Sequence, residues 1–218
     1  EMRDVTEGKK GFPEKWLKKR ILKADRIAWL CRDNDAKALM SSSGIQISGF
    51  RIEGYLECDQ VRVEFPLVMI KCSFDSDIGL RFSYLNVFTL MSSKCMALRA
   101  TGSKFTSSVL LRNNIVEGVL DFVSADISGL LDCRGSQFCY KKGTGVAINA
   151  DSIRVTRSVF LSKDFVAEGS VNFSSANIGG QFNCTDGQFQ YDVEKKYALN
   201  ATGIKRNSCS RVMPKLPV

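Results

Sequence analysis

Three aspartates are the side chains of this sequence whose type and spacing would suit acid–base chemistry. Asp121, Asp126 and Asp132 come from neighbouring segments, and with a cation and Arg or Lys they could serve a carbohydrate-active enzyme. The positions 51 residues later hold amides: Asn172, Asn177 and Asn183. Outward polar residues spaced along a repeat explain both sets without chemistry, so we predict no catalytic residue.

Composition excludes several other kinds of site. The 218 residues include no histidine, which removes Ser-His-Asp sites, Cys-His sites and a histidine general base. No Gly-x-Gly-x-x-Gly motif follows a predicted strand, and neither a Cys-x-x-Cys nor a haem motif occurs. We therefore predict no cofactor and no metal site.

The cysteines behave as core residues. The eight are Cys31, Cys58, Cys72, Cys95, Cys133, Cys139, Cys184 and Cys209. Three of them end a phrase that elsewhere ends in Phe, so they are predicted to be small apolar core side chains: Cys58, Cys133 and Cys184. Free thiols in a core suit a reducing compartment, and we expect a cytoplasmic protein.

Cations recur at fixed positions in a chain whose net charge is +8. Lys104, Arg154 and Lys205 are separated by 50 and then 51 residues. Two insertions add a second set: Tyr140, Lys141, Lys142, Tyr191, Lys195 and Lys196. Because insertions at one repeat position project from one side of a solenoid, we predict that both sets bind a protein or an anionic partner. The alternative is that these are ordinary solvated loops.

A repeated phrase indicates what must position these residues. Gly, any residue, an apolar residue, Asp/Asn/Glu and then Phe or Cys occur in that order five times, beginning at Gly54, Gly118, Gly129, Gly169 and Gly180. The last four form two pairs with the same internal spacing, and the second pair repeats the first at an offset of 51. Periodicity on this scale is typical of a solenoid with one continuous core.

The 11-residue units predict strands. Val, Leu, Ile and Phe alternate with Ser, Asn, Asp and Arg, and the units are too short for a helix and a turn. Two units would form a coil of about 22 residues, which suits a parallel β-helix. An antiparallel sandwich is the competing all-β prediction.

The triplets Ala125-Asp126-Ile127 and Ala176-Asn177-Ile178 resemble the core of the pentapeptide-repeat motif. From Ala24 to Ile204 the chain is similar to bacterial pentapeptide-repeat-like proteins, of the group labelled putative membrane-associated oxidoreductases, in which phrases like the one from Ile178 to Cys184 recur. This resemblance implies a right-handed parallel β-helix. Acidic members of the pentapeptide class imitate DNA, so the basic charge argues against that role, and nucleic acid is not a predicted partner.

The N-terminal region is predicted to cap the solenoid. Pro13 to Cys31 has the pattern of an amphipathic helix, and Asp33 or Asn34 could cap a second helix through Met40. Residues 1–32 hold ten Lys/Arg and five acids, so this cap could attach to an anionic membrane surface. We assign residues 1–43 to the cap with its polar leader, 44–207 to the β-helix and 208–218 to a tail.

These observations predict a mainly β protein that acts as a non-enzymatic interaction or scaffold module. A carbohydrate-active or redox enzyme is one alternative. A bactofilin-like scaffold is another, because Ala198 to Ile204 begins a new repeat and the C-terminal turn could mediate self-association.

Overall fold

The chain folds as a parallel β-solenoid of about six turns. The computed structural model describes residues 20–139, 145–190 and 197–206. Each full turn contributes one short strand to each of four sheets, and every strand pairs in parallel with a strand of the neighbouring turn. The competing antiparallel sandwich is therefore wrong, and the predicted parallel solenoid is confirmed.

The four sheets are named A to D, and the chain visits them in the order B, A, C, D. Sheet A contains Ile21–Lys23, Arg51–Glu53, Ser73–Phe74, Lys94–Cys95, Ile115–Val116, Gln137–Cys139, Val166–Glu168 and Gln188–Phe189. Sheet B contains Ile45–Ser48, Leu67–Ile70, Phe88–Met91, Val109–Leu110, Leu131–Asp132, Val159–Phe160 and Phe182–Asn183. Sheet C contains Leu56–Glu57, Ile78–Gly79, Leu98–Arg99, Leu120–Asp121, Val146–Asn149, Ser170–Asn172 and Leu199–Asn200. Sheet D contains Arg62–Val63, Tyr84–Leu85, Lys104–Phe105, Asp126–Ile127, Arg154–Val155, Asn177–Ile178 and Lys205–Arg206.

Strand register explains both sequence periods. Lys104 pairs with Asp126 at an offset of 22, as expected for two 11-residue units. Asp126 pairs with Arg154 at an offset of 28, because this turn carries an insertion between sheets A and C. A short turn and a long turn together give the 50-residue period, so the cations that recur in the sequence lie two turns apart.

The core is a column of inward side chains. In the sheet D strands from Arg62–Val63 to Asn177–Ile178 one side chain points in and its neighbour points out, so Phe105 is fully buried while Lys104 is exposed. Phe88, Phe105 and Phe122, which come from different sheets, pack against one another inside the core, with ring centroids 6.5 and 6.0 Å apart. Burial of these apolar surfaces is the main stabilising term for a solenoid.

Two opposite corners of the solenoid turn through left-handed backbone. The C–D corner consists of Gln60, Phe82, Gly102, Ser124, Ser152, Ser175 and Gly203, all with φ between 54° and 69°. The B–A corner includes Gly49, Lys71, Ser92, Asn113, Gly135, Lys163 and Asp186, also at positive φ. The conformation recurs from turn to turn because amides of the C–D corner donate to carbonyls of the next turn, as Ser124 N does to Asp151 O at 2.9 Å.

The N-terminal segment corrects one prediction and confirms another. The helix predicted from Pro13 to Cys31 is wrong at Ile21–Lys23, which forms the first strand of sheet A. This tripeptide is extended because the edge of sheet A offers it backbone partners, including the Arg51 amide, which donates to Arg20 O at 2.8 Å. Residues 13–19 lie outside the described part of the chain.

Helix α1 (Ala24–Arg32) and helix α2 (Asn34–Ala38) then cap the first turn. Helix α1 has the apolar face expected of an amphipathic helix, and it buries Ala24, Ile27, Ala28 and Cys31 against the first strands of sheets C and D. Asp33 caps helix α2, and its Oδ1 accepts from Ala36 N at 2.8 Å. The second helix is therefore confirmed, although it ends at Ala38 rather than Met40.

Candidate functional site

Sheet D presents one straight row of outward side chains, here called the sheet D row. The name covers its last five members, Lys104, Asp126, Arg154, Asn177 and Lys205, which the strand register places directly above one another. Two further side chains, Tyr84 and Arg62, continue the line towards the N-terminal end. Arg62 is already engaged there, since its Nε lies 2.8 Å from Glu64 Oε1 and its guanidinium lies 4.3 Å from the centre of the Tyr84 ring. The predicted cations Lys104, Arg154 and Lys205 thus share one face at every second turn. Parallel strands lie ~4.8 Å apart, so successive cations are about 9.6 Å apart along the axis.

Most side chains of the sheet D row are open to solvent and weakly engaged. Arg154 Nη1 lies 3.6 Å from Asp126 Oδ2, with side chains 65% and 33% exposed. An ion pair this long and this exposed contributes little to stability. Within the described part of the chain, the side chains of Lys104, Asn177 and Lys205 have no hydrogen-bond or ion-pair partner. These groups are therefore free to meet a ligand.

An open groove of about 520 Å³ runs beside this row. One wall of the groove is formed by Asp126, Arg154, Asn177 and Lys205, and the opposite wall is formed by the C–D corner. The corner contributes the hydroxyl groups of Ser124, Ser152 and Ser175, one from each of three successive turns. The groove therefore combines cations, an amide, a carboxylate and hydroxyls, all of which can hydrogen-bond a polar ligand.

Phe82 lies in the same corner towards the N-terminal end of the groove. Its φ is 55° and its side chain is 63% exposed, although a bulky residue rarely adopts left-handed backbone. The ring packs over Gly102 of the next turn, where an added Cβ would lie only 2.6 Å from Phe82 Cδ1. Sequence reasoning missed Phe82, but aligning the turns gives the signal, because an aromatic stands where later turns hold Gly or Ser.

The second predicted set of side chains falls outside the described residues. It comprises Tyr140, Lys141, Lys142, Tyr191, Lys195 and Lys196. Their role in binding a partner stays a prediction.

The three aspartates considered for catalysis do not converge. Asp121 is on sheet C, Asp126 on sheet D and Asp132 on sheet B. Asp121 Oδ2 accepts from Thr101 Oγ1 at 2.9 Å, which gives this carboxylate a structural role between neighbouring turns. No common acid–base site is formed from these three residues.

Asp132 is fully buried between two arginines. Its Oδ2 accepts from Arg112 Nε at 2.6 Å, and its Oδ1 accepts from Arg134 Nε at 2.8 Å. Burial would raise the pKa of Asp132, but the hydrogen bonds from Arg134 and Arg112 outweigh it and hold the pKa below its ordinary value. Arg134 also lies over the Phe160 ring, 5.0 Å from its centroid. This cluster stabilises sheet B.

Asparagines form a ladder along sheet C, here called the sheet C row and made of Asn149, Asn172 and Asn200. Asn172 Nδ2 donates to Asn149 Oδ1 at 3.3 Å, and Asn200 Nδ2 donates to Asn172 Oδ1 at 3.0 Å. Asn172 Oδ1 also accepts from Ser174 N at 3.1 Å. The amides of this row are largely satisfied by one another, which leaves little capacity for a ligand.

A second ladder closes the B–A corner from inside. Ser93 Oγ accepts from Cys72 N at 3.0 Å, Asn114 Oδ1 accepts from Ser93 N at 2.8 Å, and Ser136 Oγ accepts from Asn114 N at 3.0 Å. Buried polar groups satisfied in this way rigidify the corner. On the outer surface of this corner, Lys71 and Lys163 are exposed. The B–A corner therefore also carries cations, but they do not belong to the sheet D row, which lies on the opposite side of the solenoid.

The three cysteines of the repeated phrase lie in the core, as predicted. Cys58, Cys133 and Cys184 are buried, and burial raises the pKa of Cys184 to about 12. A thiol hydrogen bond joins Cys31 of helix α1 to Cys58, which lowers the pKa of Cys31 and raises that of Cys58. Cys209 lies outside the described residues. Among those described, no group of three or more Cys, Asp or Glu side chains could hold a metal ion.

Several cations of the predicted basic cap are engaged with the first turns. Lys23 Nζ lies 2.7 Å from Glu53 Oε2, Arg32 Nη2 lies 3.4 Å from Glu57 Oε2, and the Arg20 guanidinium lies 4.4 Å from the centre of the Phe50 ring. These contacts fasten the cap to the solenoid. Neither helix in the described part of the chain has the length and apolar character needed to cross a bilayer.

Comparison with known proteins adds no assignment. No protein-family model, no curated protein and no solved structure matches the chain. The function must therefore be argued from the side chains themselves.

Proposed function

We propose that the chain is a non-enzymatic β-solenoid module that holds an anionic partner along the sheet D row. One observation carries the proposal: Lys104, Arg154 and Lys205 share a single face at every second turn, exposed and without a strong internal partner among the described residues. Anionic groups spaced along a partner can meet these cations together, and each contact adds to the affinity.

The backbone beneath the row favours this role. Lys104 and Arg154 lie on strands that pair with a neighbour on both sides, so the positions of their Cα atoms are fixed before a partner arrives. Pre-organisation of this kind reduces the entropic cost of association. The side chains remain long and flexible, which suits electrostatic attachment with strong dependence on salt.

We also propose that the chain is related to bacterial pentapeptide-repeat-like proteins. The stacked parallel turns support kinship with right-handed pentapeptide-repeat-like β-helices. We do not propose a redox activity, because the buried thiols and the open sheet D groove suggest no redox site.

A paired charge-removal experiment tests the proposed function. The variant R154Q/K205Q removes two positive charges from the sheet D row, and K71Q/K163Q removes two exposed positive charges from the opposite corner. Binding of fluorescently labelled poly-L-glutamate is measured by anisotropy, with circular dichroism to verify that each variant is folded.

We expect R154Q/K205Q to bind about tenfold more weakly than the wild type and K71Q/K163Q to bind nearly as well as the wild type. Raising salt from about 50 to 200 mM should weaken wild-type binding about tenfold. Equal losses in the two variants, or no binding by the wild type, would overturn the proposal.

A further inference from the structure

The order of side chains along the sheet D row carries more information than its net charge. From Lys104 to Lys205 the row reads cation, carboxylate, cation, amide, cation, with one residue per turn. A polymer with a negative charge at every turn would place one of those charges against Asp126, which would repel it. The row instead suits a partner whose charged and neutral units alternate.

The neutral positions are equipped for hydrogen bonding. Asp126 can accept from hydroxyl groups, while Asn177 can both donate and accept. Ser124, Ser152 and Ser175 offer further hydroxyls across the groove. A neutral unit rich in hydroxyls therefore fits opposite Asp126 and Asn177.

The spacing agrees with a chain of sugar rings. Strands stack at ~4.8 Å per turn, and an extended β-linked pyranose chain advances by about the same distance per ring. An acidic group on every second sugar would therefore face a cation at every second turn. An extended peptide presents same-face side chains about 6.7 Å apart, which does not match the two-turn spacing.

Phe82 supplies an independent observation. Its exposed ring lies over Gly102, one turn before Ser124 and beside the start of the sheet D row. An exposed aromatic face is a favourable surface for the apolar side of a sugar ring. Because a bulky residue in left-handed backbone is costly, the position of this ring points to a function for it.

We infer that the partner is an acidic polysaccharide with its acidic groups on alternate sugars, bound along the solenoid axis with one sugar against Phe82. This inference rests on the proposed function, because the same cations hold the ligand. Three acidic sugars would meet Lys104, Arg154 and Lys205, and the sugars between them would meet Asp126 and Asn177.

Titration calorimetry with three ligands tests the alternation. Hyaluronan oligosaccharides carry a carboxylate on every second sugar, hexagalacturonate carries one on every sugar, and poly-L-glutamate has no sugar. We expect the hyaluronan hexasaccharide to bind about fivefold more tightly than hexagalacturonate despite having half its charge. Affinity should rise from the hyaluronan tetrasaccharide to the hexasaccharide and then level off, because the hexasaccharide already reaches all three cations of the sheet D row. The next cation along the line, Arg62, is already paired with Glu64 at 2.8 Å.

Substitutions at Phe82 test the aromatic contact. Phe82→Ser introduces the residue that three later turns use in the same backbone conformation, so we expect it to fold. It should weaken hyaluronan binding about fivefold and leave poly-L-glutamate binding unchanged, whereas Phe82→Tyr should keep most of the affinity. Trp29→Ala is the control, since Trp29 is an aromatic side chain of similar exposure (56%) that lies on helix α1 and not on the C–D corner.

The outcomes separate the two proposals. If poly-L-glutamate binding depends on Arg154 and Lys205 but hyaluronan shows neither preference over hexagalacturonate nor dependence on Phe82, the polysaccharide inference is wrong and the anion-binding module stands. If no ligand depends on Arg154 and Lys205, both proposals fail.

Discussion

The sheet C row and the sheet D row use the same backbone in opposite ways. Both consist of outward side chains stacked one per turn on adjacent sheets. Asn149, Asn172 and Asn200 bond to one another in sheet C, whereas Lys104, Asn177 and Lys205 in sheet D have no side-chain partner among the described residues. In sheet C the side chains therefore stabilise the stack, and in sheet D they are left for another molecule.

Charged residues on sheets B and D also differ in how strongly the solenoid holds them. Asp132 and Asp126 each face arginine, yet the first is fully buried between Arg112 and Arg134 and the second forms an exposed contact of 3.6 Å with Arg154. A buried and fully hydrogen-bonded charge is costly to disturb, while an exposed pair contributes little. Similar residue pairs can thus be structural on sheet B and available on sheet D.

The largest effect should come from the buried aspartate. Asp132→Asn should lower the free energy of unfolding by about 2–3 kcal/mol, because two arginines lose their shared charged acceptor. The matched variant Asp126→Asn should change it by less than ~0.5 kcal/mol. Chemical denaturation of both variants measures the difference, and equal costs would refute the distinction between the two sheets.

The stability that Asp132 contributes should depend on pH. The folded-state pKa of Asp132 is lowered, so its contribution to stability is present above the unfolded pKa of about 3.9 and is lost as pH falls through the folded value. The difference in free energy of unfolding between the wild type and Asp132→Asn should therefore shrink below about pH 4. Urea titrations at about pH 6, 4 and 3 check this, and a constant difference between the two proteins would contradict it.

A smaller difference in stability is expected between asparagine substitutions on the sheet C row and on the sheet D row. Asn172→Ala removes three hydrogen bonds from the sheet C row and should cost about 1–2 kcal/mol. Asn177→Ala, on the sheet D row, should stay within ~0.5 kcal/mol of the wild type. Thermal unfolding of the two variants measures both values, and a large cost at Asn177 would mean that the sheet D row is structural as well.

Much of the fold followed from the sequence because the repeat is local. The spacing of the repeated phrase predicts a coil made of two units, and the strand from Leu98 does pair with the strand two units further on, at Leu120. Cys58 and Cys133 were predicted to lie in the core from their places in the repeated phrase, and they are buried. The strand Ile21–Lys23 was misassigned because its backbone partner, Arg51–Glu53, lies far along the chain and beyond both helices.

The candidate site was harder to predict. The long repeat identified Lys104, Arg154 and Lys205, but it spans two turns and concealed the residues between them. Only the register shows that Asp126 and Asn177 stand in the same row. Phe82 escaped notice because its role depends on left-handed backbone and on the open space above Gly102, neither of which a composition pattern carries.

The location of binding is the central claim, and backbone amide chemical shifts test it most directly. A hyaluronan hexasaccharide or poly-L-glutamate is titrated into isotopically labelled protein, and shift changes are mapped onto the solenoid. We predict that the changes concentrate on sheet D and the C–D corner, from Phe82 to Lys205, and spare the asparagines of the sheet C row. Changes centred on the cap helices, on the junction of sheets A and C, or on the B–A corner would contradict the proposal.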